Sequence, residues 1–141
     1  MDLEIRSFRA EDEAAVIALW QAAGLTRPSN DPADDIARKL QVQPEWFLIG
    51  RIADVIVASV MVGYDGHRGW VYYLAVAPEH QRRGYARALM QRAEALLLEA
   101  GCPKLNLQVR GSNKEALGFY ERLGYATEDR VSLGKRLEPV R

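Results

Sequence analysis

Chemistry that depends on several cysteines or histidines has little to work with in this chain. Its 141 residues include one cysteine and two histidines. A single cysteine excludes an internal disulfide framework and fits a reducing compartment. One cysteine and two histidines also fall short of a metal-ligand spacing, so no metal site is expected. Net charge is missing too. Lysine plus arginine and aspartate plus glutamate number 19 each, for a formal net charge of zero. A general nucleic-acid or membrane-surface binder would carry an excess of basic residues, so any basic site here must be local. No apolar run approaches the roughly 20 residues of a membrane-spanning helix. The opening Met1-Asp-Leu-Glu has no basic stretch followed by an apolar one, so it does not read as a signal peptide, and a cytoplasmic location is expected. What remains is 48% hydrophobic residues in a length suited to one domain with one core, residues 1–141.

The periodicity gives that domain its elements. Residues 3–8 read as a strand. Acidic Glu11, Asp12 and Glu13 then open a helix whose apolar face is Val16, Leu19, Trp20 and Ala23, closed by Gly24. Asp31-Pro32 is a cap and first-turn pair for a short second helix carrying Ile36 and Leu40. Strands follow at 46–52 and 55–64, joined by Ala53-Asp54, and at 70–77 after a turn at 65–69. A third helix spans about 84–100 with Ala86, Leu89, Met90, Ala93 and Leu97 as its buried stripe. Then come a strand at 105–109, a helix at 114–123 closed by Gly124, and strands at 125–128 and 131–137. The expected class is α/β (α+β) with a mixed sheet in the order β-α-α-β-β-β-α-β-α-β-β.

The most informative stretch is Tyr72-Tyr-Leu-Ala-Val-Ala-Pro-Glu-His-Gln-Arg-Arg-Gly-Tyr-Ala86. An apolar strand runs into a short basic turn, and a helix opens directly out of it. Amides at a helix start have no partner inside the helix and can hold an anion. Arg82 and Arg83 add positive charge, and Gly84 and Ala86 let the backbone approach a ligand. The turn, Gln81-x-x-Gly84-x-Ala86, is neither the lysine-containing phosphate loop nor the three-glycine dinucleotide fingerprint. Together with the strand before it, it resembles the signature of the GNAT N-acetyltransferases, Arg/Gln-x-x-Gly-x-Gly/Ala after Val-x-Pro. Asn113, Ala116, Phe119, Tyr120, Gly124 and Tyr125 fall in register with that family's closing pattern, Asn-x-x-Ala-x-x-Phe-Tyr-x-x-x-Gly-Phe/Tyr. The run Gly63-Tyr-Asp-Gly-His-Arg-Gly69, with Arg27-Pro-Ser-Asn-Asp-Pro32 upstream, is similar to the bacterial YpeA-type acetyltransferases.

The resemblance implies acetyl-coenzyme A as cosubstrate. It implies two parallel strands, near Leu74 and Leu107, that splay apart to admit it. Backbone groups of Leu74, Ala75 and Val76 would hold the thioester arm. Gln81, Arg82, Arg83, Gly84, Tyr85 and Ala86 would hold the pyrophosphate, with Asn113 also on the cofactor. Tyr120 would protonate the leaving thiolate, since a phenol with a reference pKa of about 10 carries its proton at neutral pH; the plainer reading of Tyr120 is a half-buried ring packed with Phe119. In the family's ribosomal-protein alanine acetyltransferases a glutamate serves as base where this chain has Gln108, which cannot take a proton. A water chain, another carboxylate, or an amine arriving partly neutral could meet that need. Asp65, His67 and Glu79 are candidate bases, although aspartate before glycine is also a common turn former. The acceptor is expected between the loop at 25–31, with Arg27 and Asp31, and the turn at 65–68. It would be a small-molecule amine or a peptide N-terminus, handled by a monomer or homodimer. The competing reading is a non-catalytic acyl-coenzyme A sensor or interaction module.

Overall fold

The computed structural model describes residues 2–139. The chain divides into two compact units, Met1–Leu107 and Gln108–Arg141.

The first unit is built on one five-stranded sheet in the order β1-β2-β3-β4-β5, with β1 at Glu4–Ser7, β2 at Phe47–Ile52, β3 at Val55–Tyr64, β4 at Gly69–Val76 and β5 at Leu105–Asn106. Neighbours up to β4 run antiparallel, and β5 lies parallel to β4. The β2–β3 connection is the expected two-residue turn. Ala53 (φ 48°) and Asp54 (φ 69°) are both left-handed, which matches the twist of the strands they join. Trp46 falls just outside β2, in a short 3-10 turn opened by Pro44.

Three helices complete this unit: α1 at Glu13–Ala22, α2 at Pro32–Lys39 and α3 at Tyr85–Glu99. Helices α1 and α3 lie on opposite faces of the sheet. On the α1 face, the fully buried Trp20 stacks on Phe47 at 6.2 Å, and Phe47 stacks on Phe8 at 4.5 Å. On the other face, Leu89, Met90, Ala93 and Leu97 of α3 are buried as their spacing predicts. Gly69 leaves room for α3 there: a Cβ on it would lie 2.6 Å from Leu97 Cδ1 and 3.2 Å from Cys102 Sγ. Strand β3 outruns β2, and α2 serves its last residues. Lys39 Nζ donates to the Val62 carbonyl at 2.5 Å, while the Gln43 amide both donates to and accepts from the Tyr64 backbone at 3.0 Å. No helix among the described residues is long and apolar enough to cross a membrane.

The second unit contains α4, Lys114–Arg122. It ends in a Schellman motif, with Gly124 N–H on the Glu121 carbonyl and Tyr125 N–H on the Tyr120 carbonyl. The strands expected at 125–128 and 131–137 do not form among the described residues, and β5 stops at Asn106 rather than at residue 109. The apolar alternation is present, but a strand exists only as a rung of a ladder. Val131, Leu133 and Leu137 are 85%, 91% and 91% exposed, and the local backbone bond is a turn, Arg130 N–H to the Glu128 carbonyl at 2.9 Å.

One ion pair ties β1 to the start of α1. Arg6 donates to both oxygens of buried Asp12, at 2.7 and 3.0 Å, and Asp12 also accepts the Arg9 amide at 2.8 Å. The Arg6 guanidinium, helped by that amide, holds the Asp12 carboxyl below its ordinary range against the opposing effect of burial. Asp12→Asn should therefore destabilise the protein by about 3 kcal/mol near neutral pH. A carboxylate whose pKa is lowered by folding stabilises above its unfolded pKa, and that contribution is lost as pH falls through the folded value. Urea denaturation at a series of pH values should show the difference between wild type and Asp12→Asn narrowing below about pH 4.

Candidate active site

Strand β4 departs from regular pairing where the thioester is expected. Ser59 of β3 stands opposite Ala75 and Met61 opposite Tyr72, so Tyr73 and Leu74 together face Val60 alone. This is a β-bulge, and Tyr73 takes φ 54°, a left-handed backbone that is strained for an aromatic residue. On the other edge, the parallel ladder to β5 ends at Trp70 and Asn106. Strand β4 runs six residues further, to Val76, so Leu74, Ala75 and Val76 lie beyond the paired segment.

Four side chains surround the bulge. The Trp20 indole N–H donates to Ser59 Oγ at 2.9 Å, and Ser59 Oγ donates to the Tyr73 carbonyl at 2.8 Å. Trp20 and Tyr73 stack with centroids 3.8 Å apart and planes 12° apart. The Tyr73 hydroxyl donates to Asp35 of α2 at 2.5 Å, and Asp35 also pairs with Arg38. Burial first, and the Asp35 carboxylate second, raise the Tyr73 pKa far above the ordinary phenol value, so it remains a donor at any physiological pH. Nothing in the sequence pattern marks Ser59 or Asp35 as partners of Tyr73.

Beyond Val76 the chain makes a single 3-10 turn, Pro78–His80, and enters the basic turn. The Gln81 side chain donates back to the Val76 carbonyl at 3.2 Å and the His80 and Tyr85 rings lie 6.4 Å apart, joining strand, turn and helix. Arg82 (φ 65°) and Gly84 (φ 83°) are both left-handed. Gly84 is the N-cap of α3 and supplies no side-chain cap. The first bond back into the helix is Ala88 N–H to the Gly84 carbonyl at 3.0 Å, which leaves the amides of Tyr85, Ala86 and Arg87 without intrahelical acceptors. A Cβ on Gly84 would meet nothing within 4 Å, so the space beside that residue is open. Arg82 and Arg83 are exposed beside it. The arrangement suits a phosphate group.

In the second unit, Asn113 caps α4, its side chain accepting the Ala116 amide at 3.1 Å. Tyr120 packs edge-on against Phe119 and Tyr125, at 5.0 and 5.8 Å, and burial pushes its phenol up to about 12. Gln108 donates to Ser132 Oγ at 2.5 Å.

The residues expected around the acceptor carry out local structural tasks. Arg27 is exposed and its Nη1 donates to the Gly24 and Thr26 carbonyls at 2.7 and 3.1 Å, closing the end of α1. Asp31 is the N-cap of α2, accepting the Ala33 amide at 2.9 Å. Asp65 Oδ1 accepts the amides of His67 and Arg68, at 2.8 and 2.7 Å, and Oδ2 accepts the Trp70 indole N–H at 3.3 Å. The Arg68 and His67 amides hold the Asp65 carboxyl below its ordinary range, making it a weaker base. His67 and Glu79 are exposed. Among the described residues, no group of three His, Cys, Asp or Glu side chains could hold a metal ion.

Comparisons with known proteins identify the family. The model of the Acetyltransferase (GNAT) family matches residues 9–125, running through both units. An acetyltransferase from Yersinia pestis (strain Pestoides F) is 52% identical over 135 residues, 96% of each chain. Among solved structures, Ard1 from Thermoplasma volcanium superimposes with a TM-score of 0.80 at 27% identity, covering 89% of this chain and 84% of its own. The ribosomal-protein-S18-alanine N-acetyltransferase from Escherichia coli does so with a TM-score of 0.74 at 26% identity, covering 87% and 77%. The chain belongs to the GNAT family and is an N-acetyltransferase that takes its acetyl group from acetyl-coenzyme A.

Proposed function

We propose that this enzyme acetylates a primary amine, on a small molecule or a peptide N-terminus, by direct attack on the thioester and without an acetyl-enzyme intermediate. The observation that carries the reading is the uncapped start of α3, with its left-handed Arg82 and Gly84 and the open space beside Gly84. There the amides of Tyr85 and Ala86, with Arg82 and Arg83 and the turn set by Gln81, take the pyrophosphate. Backbone groups of Leu74, Ala75 and Val76 take the thioester arm. The resemblance to the alanine N-acetyltransferase of ribosomal protein S18 supports a peptide N-terminus as one acceptor class.

Tyr120 is assigned as the acid for the leaving thiolate. Burial keeps its phenol protonated at neutral pH, so a proton is at hand for the sulfur as the carbon–sulfur bond breaks. No side chain is assigned as base. Gln108 cannot accept a proton, and Asp65 is engaged by two amides and an indole. The amine then attacks from its own neutral fraction, which is roughly a tenth for an α-amino group at pH 7 and well under a hundredth for a lysine, and the nitrogen gives up its surplus proton to water as the carbon–sulfur bond breaks. That difference favours low-pKa amines.

Three outcomes follow. Gly84→Val forces a β-branched residue to φ 83° and fills the open space; calorimetry on the folded variant should show acetyl-coenzyme A affinity lowered about tenfold or more. Unchanged affinity would move the phosphate site elsewhere. Tyr120→Phe should bind the cofactor normally and lose roughly 10²–10⁴-fold in kcat, read by thiol release under conditions where chemistry limits the rate. Finally, the pH dependence of kcat/KM should follow the acceptor. Two amines with pKa values about two units apart should give rising limbs displaced by a similar amount. One shared midpoint for both would instead reveal a base on the protein.

A further inference from the structure

The bulge in β4 is held by a buried relay, and the geometry of a peptide bond gives that relay a catalytic consequence. The chain contains no cis peptide bond among the described residues. Across a trans peptide the carbonyl and the following N–H point in opposite directions and move as one rigid plane. The Tyr73 carbonyl is drawn toward Ser59 by the hydroxyl at 2.8 Å. The Leu74 N–H, on the other side of the same plane, is therefore aimed away from β3, toward the edge of β4 where pairing with β5 has already ended. Ser59 is fully buried and its own oxygen is fixed by the Trp20 indole at 2.9 Å, so it has no freedom to release the carbonyl. The Tyr73 ring, stacked on Trp20 and bonded through its hydroxyl to Asp35, anchors the Cα at the carbonyl end of that plane.

We propose that Ser59, oriented by Trp20, is a positioning residue for acetyl transfer: by fixing the Tyr73 carbonyl it aims the Leu74 amide at the thioester oxygen. This rests on the reading that backbone groups of β4 hold the thioester. An amide aimed in advance stabilises the charge that develops on that oxygen without reorganising during the reaction. Ser59 touches neither cofactor nor acceptor, and it acts only through the peptide plane.

The test uses the full chain and an acetyl-coenzyme A analogue in which a methylene replaces the thioester sulfur and the ketone carbon is ¹³C. Isotope-edited infrared spectroscopy reads the carbonyl stretch of this unreactive probe when bound. In wild type the stretch should fall below its value in water. In Ser59→Ala most of that shift should disappear, and Ser59→Thr, which keeps the hydroxyl, should restore it. In parallel, Ser59→Ala should lose roughly 10–100-fold in kcat, with KM for acetyl-coenzyme A changed less than about twofold. If Ser59→Ala does not fold, Tyr73→Phe, which removes only the bond to Asp35, should show a smaller change of the same sign. A wild-type shift that persists in the folded variants, or equal losses in Ser59→Ala and Ser59→Thr, overturns the positioning role and leaves the proposed site intact. A wild-type enzyme with no shift at all would show instead that β4 does not meet the carbonyl, and both readings would fall.

Discussion

A tyrosine with φ 54° in the middle of a strand stays there only if its surroundings hold it, because the left-handed region costs a bulky residue on the order of 1–3 kcal/mol. Tyr73 is held through every part it has. Its ring lies against Trp20, its carbonyl accepts from Ser59 and its hydroxyl reaches Asp35. Those contacts draw in α1, α2 and β3 at one point of β4. They also explain why Ser59, a polar residue with no exposure, is tolerated in an apolar strand: its hydroxyl both accepts and donates, so its own hydrogen-bonding capacity is met.

Much of this architecture was legible in the sequence, and the reasons are local. Ala53-Asp54 between two apolar runs leaves room only for a two-residue turn. The stripe Leu89, Met90, Ala93 and Leu97 has helical spacing and is buried as such. The turn into α3 could be read because a glycine, two arginines and a helix start occupy six consecutive residues. The bulge could not. Tyrosine has no preference for left-handed backbone, Ser59 sits among apolar neighbours as any small core residue would, and its partner Trp20 is 39 residues away. The only trace is Tyr72-Tyr73, two large rings side by side where a regular strand would send them to opposite faces. The last two strands were misread for the converse reason. Residues 125–137 have the composition of strands, but a ladder partner is not written in a segment's own alternation.

The candidate base residues show how a motif can mislead. The sequence offers Asp65 as a candidate base and Arg27 as a residue of the acceptor loop. In the fold each is occupied with its own loop, Asp65 gathering the amides of a turn and Arg27 the carbonyls behind α1. A carboxylate surrounded by amides becomes a better anion and a poorer proton acceptor, so the feature that makes Asp65 a good turn former weakens it as a base.

The contact of Gly69 with Leu97 and Cys102 sits at the opposite end of α3 from the basic turn. Fifteen residues of helix span about 22 Å. A tilt of about 3° at one end displaces the other by about 1 Å, which is enough to take an amide out of hydrogen-bonding range of an oxygen. The absence of a side chain at residue 69 is thus a surveying mark: it sets how closely the helix lies on the sheet, and through the helix where the amides of the proposed phosphate site stand.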